Sequence, residues 1–262
     1  VYDNARFVGN VGWRQTHQVF DSFRLDWKFF DRLDVRYTFI GQVHRITGLE
    51  QDLIGNAVNA GFDLGDFGSL GAYAYMWDFD SATALSTNTF GGFWAGKYNL
   101  NEGKYGLKWH AEYAVQQDGY DNQSSIDANY MHFMAGFGAK VIGINVGLEQ
   151  LSGSAADGRF TTTFATGHKF NGWADLFLAT PTDGLADLYV SLDGKWQKLA
   201  YVATWHKFDA ESTSIAYGTE IDAQVTYKFS WNQLLGLKGA FYTGDDQAAD
   251  PGNTLTTQLL AN

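Results

Sequence analysis

Apolar and polar residues alternate along most of the chain with a period of two. Residues 105–116 (YGLKWHAEYAVQ) place six mostly apolar residues on one side and six residues, mostly polar, on the other. Residues 219–229 repeat this pattern, and residues 22–29 and 34–43 repeat it with charged residues on the polar side. An α-helix cannot satisfy this periodicity, so the pattern predicts β-strands that each have one apolar face.

The same alternation predicts about twelve strands. They lie near residues 19–29, 33–46, 56–64, 69–79, 88–99, 104–117, 128–139, 142–152, 185–193, 197–208, 218–229 and 234–243. These strands are longer than those of ordinary globular proteins, which average about 5 to 6 residues. A tilted strand that crosses a bilayer needs about 9 to 11 residues, so the strand lengths favour a membrane-spanning protein.

The predicted connections alternate between short turns and long loops. The turns lie near residues 30–32, 65–68, 100–103, 140–141, 194–196 and 230–233, and the loops near 47–55, 80–87, 118–127, 153–184 and 209–217. Turns at one end and loops at the other are typical of outer-membrane barrels, whereas Greek-key sandwiches alternate less strictly. The sequence therefore predicts an all-β, antiparallel transmembrane β-barrel in the bacterial outer membrane, with residues 1–262 in one domain.

The solvent on each side decides which face points outward. Lipid cannot hydrogen-bond charged side chains, so the apolar faces must contact lipid and the polar faces must line the lumen. Strand parity then places Arg24, Lys28, Arg36 and Lys108 in the lumen. Most of the tryptophans lie at or near strand ends, as in the aromatic girdles of membrane interfaces.

Composition adds an uneven charge distribution. The chain carries a net charge of −11, yet six of its seven arginines lie within the first 46 residues, and Arg45 is the last of these six. Such a local cluster can attract an anionic ligand to an otherwise acidic protein. The lack of cysteine excludes disulfides and thiolate metal sites, and a start at Val1 without a basic, apolar leader suggests a processed chain.

Motifs of enzyme chemistry are absent from the sequence. It contains no GxSxG, HExxH or glycine-rich phosphate loop, so we expect neither catalysis nor a cofactor. The six histidines fall on different elements, so we expect them to be polar wall residues rather than metal ligands. We also expect no nucleic-acid partner.

Two segments interrupt the alternation, at residues 3–18 and 159–184. The second contains Arg159 and lies within the longest predicted loop, residues 153–184. Long loops without secondary structure of their own are uncommon in compact domains and are often functional when ordered. We therefore predict that residues 153–184 fold into the barrel mouth and constrict the pore.

These segments resemble a known family. The strings DNARFVGNVGWRQTHQVFDSFRL at 3–25 and ATGHKFNGWADLFLATPTDGLADLY at 165–189 are similar to signature segments of the alginate-export family of outer-membrane proteins. The resemblance implies a larger barrel of about 14–18 strands, loops that partly plug an arginine-lined pore, an anionic sugar polymer as substrate, and periplasmic export partners. Carried onto this chain, it assigns to the pore Arg6, Arg14, Arg24, His168, Lys169, Asn171 and Asp175.

The sequence thus predicts a porin or exporter, embedded in outer-membrane lipid, that passes an anionic sugar polymer or small organic anions. Arginine can bind carboxylates bidentately, and several weak sites in a row let an anion move without being trapped. The predicted substrate path comprises Arg6, Arg14, Arg24, Lys28, Arg36, Arg45, Lys108, Arg159, His168, Lys169, Asn171 and Asp175. Two alternatives stay open: a general diffusion porin without anion selectivity, and a soluble all-β carbohydrate-active protein.

Overall fold

The structure, a computed structural model, describes residues 2 and 4–245 and the backbone of residues 254–261. Within these residues it contains fifteen strands. They are β1 (Val19–Phe29), β2 (Leu33–His44), β3 (Glu50–Asp63), β4 (Ser69–Phe79), β5 (Thr87–Leu100), β6 (Tyr105–Asp118), β7 (Asp127–Ala139), β8 (Ile142–Leu151), β9 (Gly153–Ser154), β10 (Gly158–Arg159), β11 (Leu185–Trp196), β12 (Leu199–Asp209), β13 (Ala216–Lys228), β14 (Leu234–Gly244) and β15 (Thr254–Ala261). Three single 3-10 turns lie at Gly65–Phe67, Thr83–Leu85 and Gly167–Lys169.

Thirteen of these strands form one antiparallel sheet. Each strand pairs with its neighbours along the chain, and the two-residue strands β9 and β10 form a separate small hairpin between β8 and β11. Within the described residues β1 pairs with β2 alone, and β15 pairs with β14 alone. The predicted antiparallel all-β architecture is confirmed. The prediction missed β15 and started β3 six residues too late, at 56 instead of Glu50. Among the described residues, helical segments fall short of the length and apolarity that a membrane crossing demands.

One face of the sheet exposes a broad apolar surface. Phe23, Val146, Ile221 and Leu237 are between 46% and 63% exposed on different strands. Successive residues of β8 alternate between this face and the opposite face. Glu149, which points to the opposite face, is only 3% exposed. Such a contiguous apolar band is what a lipid-facing surface requires, as the strand parity predicts.

The opposite, concave face holds the two segments that interrupt the alternation. Residues 2 and 4–18 together with residues 159–184, hereafter the plug, form two segments that a parallel bridge between Val8 and Phe164 joins to each other. The plug contacts strands that lie far apart in the order of the sheet. Phe7 packs on Tyr73 of β4 with ring centroids 5.1 Å apart, while far along the sheet the plug reaches β13. The sheet therefore curls around the plug.

Strand β4 reverses the expected direction of its aromatic residues. Tyr73, Tyr75 and Trp77 point to the concave face and stack in a row, with centroids 5.1 and 5.6 Å apart. Trp77 is 4% exposed and packs on Phe164 of the plug. The aromatic girdle expected for Trp77 is therefore wrong, because the plug offers these rings an apolar partner inside the barrel.

A bulge in β2 reverses the facing of the residues that follow it. Relative to β1 the strand gains one residue between Ile40 and Gln42, and its register with β3 shifts at the same place. After the bulge Val43 is fully buried, so Gln42 and His44, which uninterrupted alternation places in the lumen, turn away from the concave face. A shift of one residue moves every later side chain to the other face.

Candidate functional site

A buried polar cluster fixes the plug to the sheet. Arg6 Nε lies 2.8 Å from Glu149 Oε1, and the two side chains are 3% and 4% exposed. Asn171 closes the cluster, since its Oδ1 accepts from Arg6 Nη2 at 2.8 Å and its Nδ2 donates to Glu149 Oε2 at 2.7 Å. Asp187 accepts a second bond from Asn171 Nδ2 at 3.2 Å. The cluster joins both plug segments to β8 and β11.

A second contact lies around His168. Its Nδ1 is 2.7 Å from Asp175 Oδ1, and its Nε2 contacts Lys238 Nζ of β14. Trp13 stacks on the imidazole with ring centroids 3.9 Å apart, and the guanidinium of Arg14 lies 4.4 Å from the Trp13 ring. His168 thus connects the two plug segments to each other and to the last part of the sheet.

Carboxylates of β13 accept hydrogen bonds from a turn of the plug. The amide of Trp173 donates to Asp222 Oδ2 at 3.1 Å, and the amide of Ala174 donates to Glu220 Oε1 at 2.8 Å. Gly172 precedes this turn with a φ of +85°, and a Cβ there would lie 2.5 Å from Glu220 Oε2. Glycine is required because both the backbone conformation and the close approach exclude a side chain.

Three more predicted path residues donate to backbone carbonyl groups of the plug. Arg45 bonds Thr163 O at 2.7 Å, and Arg159 bonds Thr180 O at 2.9 Å. Lys169 donates to a carbonyl of the N-terminal segment at 2.7 Å. Burial lowers the pKa of the Lys169 ammonium and of the Arg45 guanidinium. These three side chains hold the plug together.

The half of the concave face near the short turns is open to solvent. Arg24 and Arg36 lie there and share one carboxylate, with Arg24 Nε 2.6 Å from Asp26 Oδ2 and Arg36 Nε 2.7 Å from Asp26 Oδ1. Lys28 follows on the same face of β1, opposite Asp34 of β2. This part of the wall carries basic residues that are open to solvent.

Lysines gather further around the sheet at the same end. A cavity of about 480 Å³ is lined there by Asp193 and by five lysines, Lys97, Lys104, Lys108, Lys140 and Lys195. Lys97 of β5 and Lys108 of β6 are direct cross-strand partners. Like charges in such positions destabilise a sheet. Within the part of the chain that the structure describes, none of the five lysines forms a salt bridge.

The structure divides the twelve predicted path residues by location. Those that contact or form the plug's anchors are Arg6, Arg45, Arg159, His168, Lys169, Asn171 and Asp175. Those on the open wall are Arg24, Lys28, Arg36 and Lys108. Arg14 is exposed on the plug. Lys97 and Lys195 were not among the predicted path residues, although strand parity places Lys97 on the same face as Lys108 and Lys195 on the same face as Asp193.

No protein-family profile matches the chain, and no curated protein matches it significantly. Several solved structures, in contrast, are similar to this chain in fold. The outer-membrane protein OpdK of Pseudomonas aeruginosa superposes with a TM-score of 0.75 at 13% identity, over 100% of this chain and 73% of OpdK. OccK5 (OpdH) of the same organism gives 0.71 at 12% identity, over 100% and 76%. OccAB4 of Acinetobacter baumannii gives 0.67 at 13% identity, over 95% and 65%.

These similarities identify the fold as that of outer-membrane β-barrel porins. The predicted fold class is confirmed, and with it the bacterial outer membrane as the place where such a fold belongs. The resemblance to the alginate-export family is wrong, because the structural relatives are OccK/OpdK porins. Most of each motif segment lies in the plug, whereas residues 19–25 belong to β1 and residues 185–189 to β11. The roles that the resemblance gave to residues of these segments lose that support.

Proposed function

We propose that the chain is a porin that passes small organic anions across the outer membrane. The observation that carries this proposal is the lysine-lined cavity at the short-turn end, in which Lys97 faces Lys108 without a salt bridge to either. Two ammonium groups in this position repel each other unless an anion lies between them. A mobile carboxylate would relieve that repulsion while it passes.

The wall around this cavity is basic even though the whole chain is acidic. On the solvent-open, short-turn half of the described concave face, the basic residues are Arg24, Lys28, Arg36, Lys97, Lys108, Lys195 and Lys228, and the acidic residues are Asp26, Asp34, Asp63 and Asp193. Charges of one sign along a low-dielectric cleft raise the local concentration of counter-ions. The excess of basic residues supports a preference for anions at this end of the pore.

Two observations support this substrate class: the position of the plug and one similar solved structure. OpdK has been solved with vanillate, a small aromatic carboxylate. The plug occupies the other half of the concave face, and Arg6, Asn171 and Glu149 anchor it through buried contacts. This arrangement favours small solutes over a polymer, so neither a polysaccharide substrate nor export partners enter the proposal.

A second candidate is a general diffusion porin, favoured by the charge pairing near β1. Arg24 and Arg36 both bind Asp26, which neutralises part of the predicted arginine path. If every basic residue of the wall had such a partner, the pore would discriminate little between anions and neutral solutes. Relative rates of a neutral sugar and a carboxylate of similar size separate the two candidates.

The test is the reversal potential of the purified protein in a planar bilayer under a salt gradient. We expect the native pore to prefer anions, and we expect the double variant Lys97→Gln/Lys108→Gln to lose much of that preference. Lys207→Gln is the matched control, because Lys207 faces outward on β12 and pairs with Asp209. Its substitution removes one lysine charge, against two in the double variant, without altering the wall.

Vesicle swelling with benzoate and with a neutral sugar supplies the second measurement. Faster entry of benzoate that disappears in the double variant supports the proposal. A native pore that prefers cations would contradict the proposal. A pore that admits both solutes equally and is unaffected by the double substitution would instead establish the general diffusion porin.

A further inference from the structure

Two histidines and a glutamate meet on the concave face, next to the lysine cavity along β6 and further from the short turns. His110 and Glu112 lie two residues apart on β6, and His132 of β7 is the direct cross-strand partner of Glu112. Side chains two apart on a strand share a face, and direct partners on neighbouring strands lie side by side. The pleat therefore brings these three groups together from two adjacent strands.

Their potential ligand atoms are close enough for one metal ion. One nitrogen from each histidine and one carboxylate oxygen of Glu112 all lie within 4.8 Å of one another. His110 Nε2 is already 2.8 Å from Glu112 Oε2, and the two imidazole centroids are 4.9 Å apart. Bonds of about 2.0–2.2 Å to a tetrahedral zinc ion place ligand atoms a little over 3 Å apart. Small side-chain rotations suffice to reach that spacing.

Hydroxyl groups from other strands orient two of the three residues. Tyr73 of β4 donates to Glu112 Oε1 at 2.8 Å, which leaves Oε2 to face the histidines. His132 Nε2 lies 2.8 Å from the hydroxyl of Tyr189 on β11. Partners of this kind fix the tautomer and orientation of metal-binding histidines.

The other nitrogen of His132 has no partner. Nδ1 is buried and makes no hydrogen bond. A buried nitrogen without a partner is costly, and a metal ion would satisfy it. When Nε2–H donates to the Tyr189 hydroxyl, the lone pair on Nδ1 becomes available as a ligand. His110 would then carry its proton on Nδ1, so that its Nε2 and Glu112 Oε2 both offer lone pairs.

There is space beside the cluster for a further ligand. A cavity of about 220 Å³ is lined by His110 and Glu112 together with residues of the plug and of β4 and β5. This volume can hold a water molecule next to the ion. The nearby guanidinium of Arg6 is paired with Glu149, so that its charge is largely offset.

We propose that His110, Glu112 and His132 bind one divalent transition-metal ion of the zinc class, with water as the remaining ligand. Two imidazoles and one carboxylate are a ligand set that such ions favour over Mg²⁺ or Ca²⁺. The ion would cross-link β6 and β7 beneath the plug. This proposal departs from the sequence-based expectation of no metal site, which rested on histidines lying on different elements, because adjacent strands can place such residues side by side.

Calorimetric titration of the purified, untagged and metal-stripped barrel with Zn²⁺ tests the proposal. We expect one ion per chain, and at least a tenfold loss of affinity in each of His110→Gln, Glu112→Gln and His132→Gln. Tyr189→Phe should weaken binding by about 10–100-fold while it keeps all three ligands. His17→Gln is the control, since His17 is exposed in the plug far from these strands in the sequence.

Absorption of bound Co²⁺ gives an independent readout of the ligand set. A visible band of low-symmetry, four- or five-coordinate Co²⁺ in the native protein that disappears in His132→Gln supports the site. Circular dichroism of each variant verifies folding, and Tyr189→Phe decides the matter if a ligand variant does not fold. Absence of stoichiometric Zn²⁺ binding, or binding lost in His17→Gln and kept in His132→Gln, would overturn the proposal.

Discussion

At the scale of single residues, Glu149 is the point at which distant parts of the chain meet. Its carboxylate lies 2.8 Å from Arg6 Nε, accepts from Tyr130 at 2.7 Å and accepts from Asn171 at 2.7 Å. A buried ion pair is retained only when its remaining atoms are hydrogen-bonded, and here two further donors complete the shell of the carboxylate. The buried carboxylate of Glu149 thus holds the plug in place, because Arg6 of the plug neutralises its charge.

This arrangement predicts strong coupling between Arg6 and Glu149. Arg6→Met leaves the buried carboxylate unpaired, so we expect it to lower the free energy of plug opening by about 3–5 kcal/mol. The double variant Arg6→Met/Glu149→Gln should lose clearly less of this free energy, because no unpaired buried charge remains. Hydrogen exchange of the amides of residues 4–18 measures the free energy of plug opening in both variants. Effects of the two single substitutions that simply add in the double variant would contradict the prediction.

Individual site residues were accessible to sequence reasoning only where strand parity applies. Parity correctly places Arg24 and Lys108 on the inner wall. It cannot show that Arg6 binds Glu149, since 143 positions separate them and residues 2–18 follow no period. The arginine cluster near the N-terminus therefore suggested a substrate path, whereas part of it serves to anchor the plug.

At the scale of elements, Phe164 joins the plug to the sheet by apolar contact. It is fully buried, and its ring centroid lies 5.0 Å from that of Trp77 and 5.8 Å from that of Phe79, both on β4. Phe20 of β1 adds an edge-on contact at 5.2 Å. One aromatic side chain thus packs against two strands that are not neighbours in the sheet.

Phe164→Ala should therefore loosen the plug while it leaves the sheet intact. Truncation of a buried phenylalanine typically costs about 3–5 kcal/mol. We expect amides of residues 161–166 to lose hydrogen-exchange protection while those of β4 keep theirs, and we expect noisier single-channel currents. Phe133→Ala is the control, since Phe133 is 50% exposed on the outer face of β7. Equal loss of protection in β4 and the plug would show that the plug is no separate unit.

Elements were predictable where one face of a strand meets lipid and the other meets water. Strand β6, predicted at 104–117, extends from Tyr105 to Asp118, because its alternation is unbroken. Strand β3 begins at Glu50, earlier than predicted. The prediction started it too late because the charged residues at its beginning resemble a loop in the sequence. Strand β4 carries aromatic residues inward because the plug provides an apolar interior there, and no local pattern reveals that interior.

At the scale of the whole molecule, charge is separated between the two ends. The lysines near the short turns are Lys28, Lys97, Lys104, Lys108, Lys140, Lys195, Lys198 and Lys228, eight of the eleven in the chain. The long loops are mostly acidic, with Asp80, Asp121 and Asp157 as examples. Under the proposed function, an anion would meet repulsion at the long-loop end and attraction at the short-turn end, so selectivity should be sought at the short-turn end.

The inner and outer faces of the sheet give the last prediction. Val146 and Asn145 are adjacent near the middle of β8, with Val146 46% exposed on the outer face and Asn145 bonded to Asp193 on the inner face at 2.9 Å. In a lipid-embedded barrel, Val146→Lys should cost about 2–4 kcal/mol, since an ammonium group at the midplane loses its hydration. Asn145→Lys should be tolerated, because its ammonium faces water and a carboxylate.

The same pair of variants separates the membrane barrel from a soluble sandwich. In a soluble protein Val146 would be a solvent-exposed side chain, and its replacement by lysine would change stability by no more than about 0.5 kcal/mol. Urea titrations of both variants folded into lipid vesicles measure the difference. If Val146→Lys proves as stable as Asn145→Lys, the outer face does not contact lipid, and the proposed passage of anions through a membrane pore falls with it.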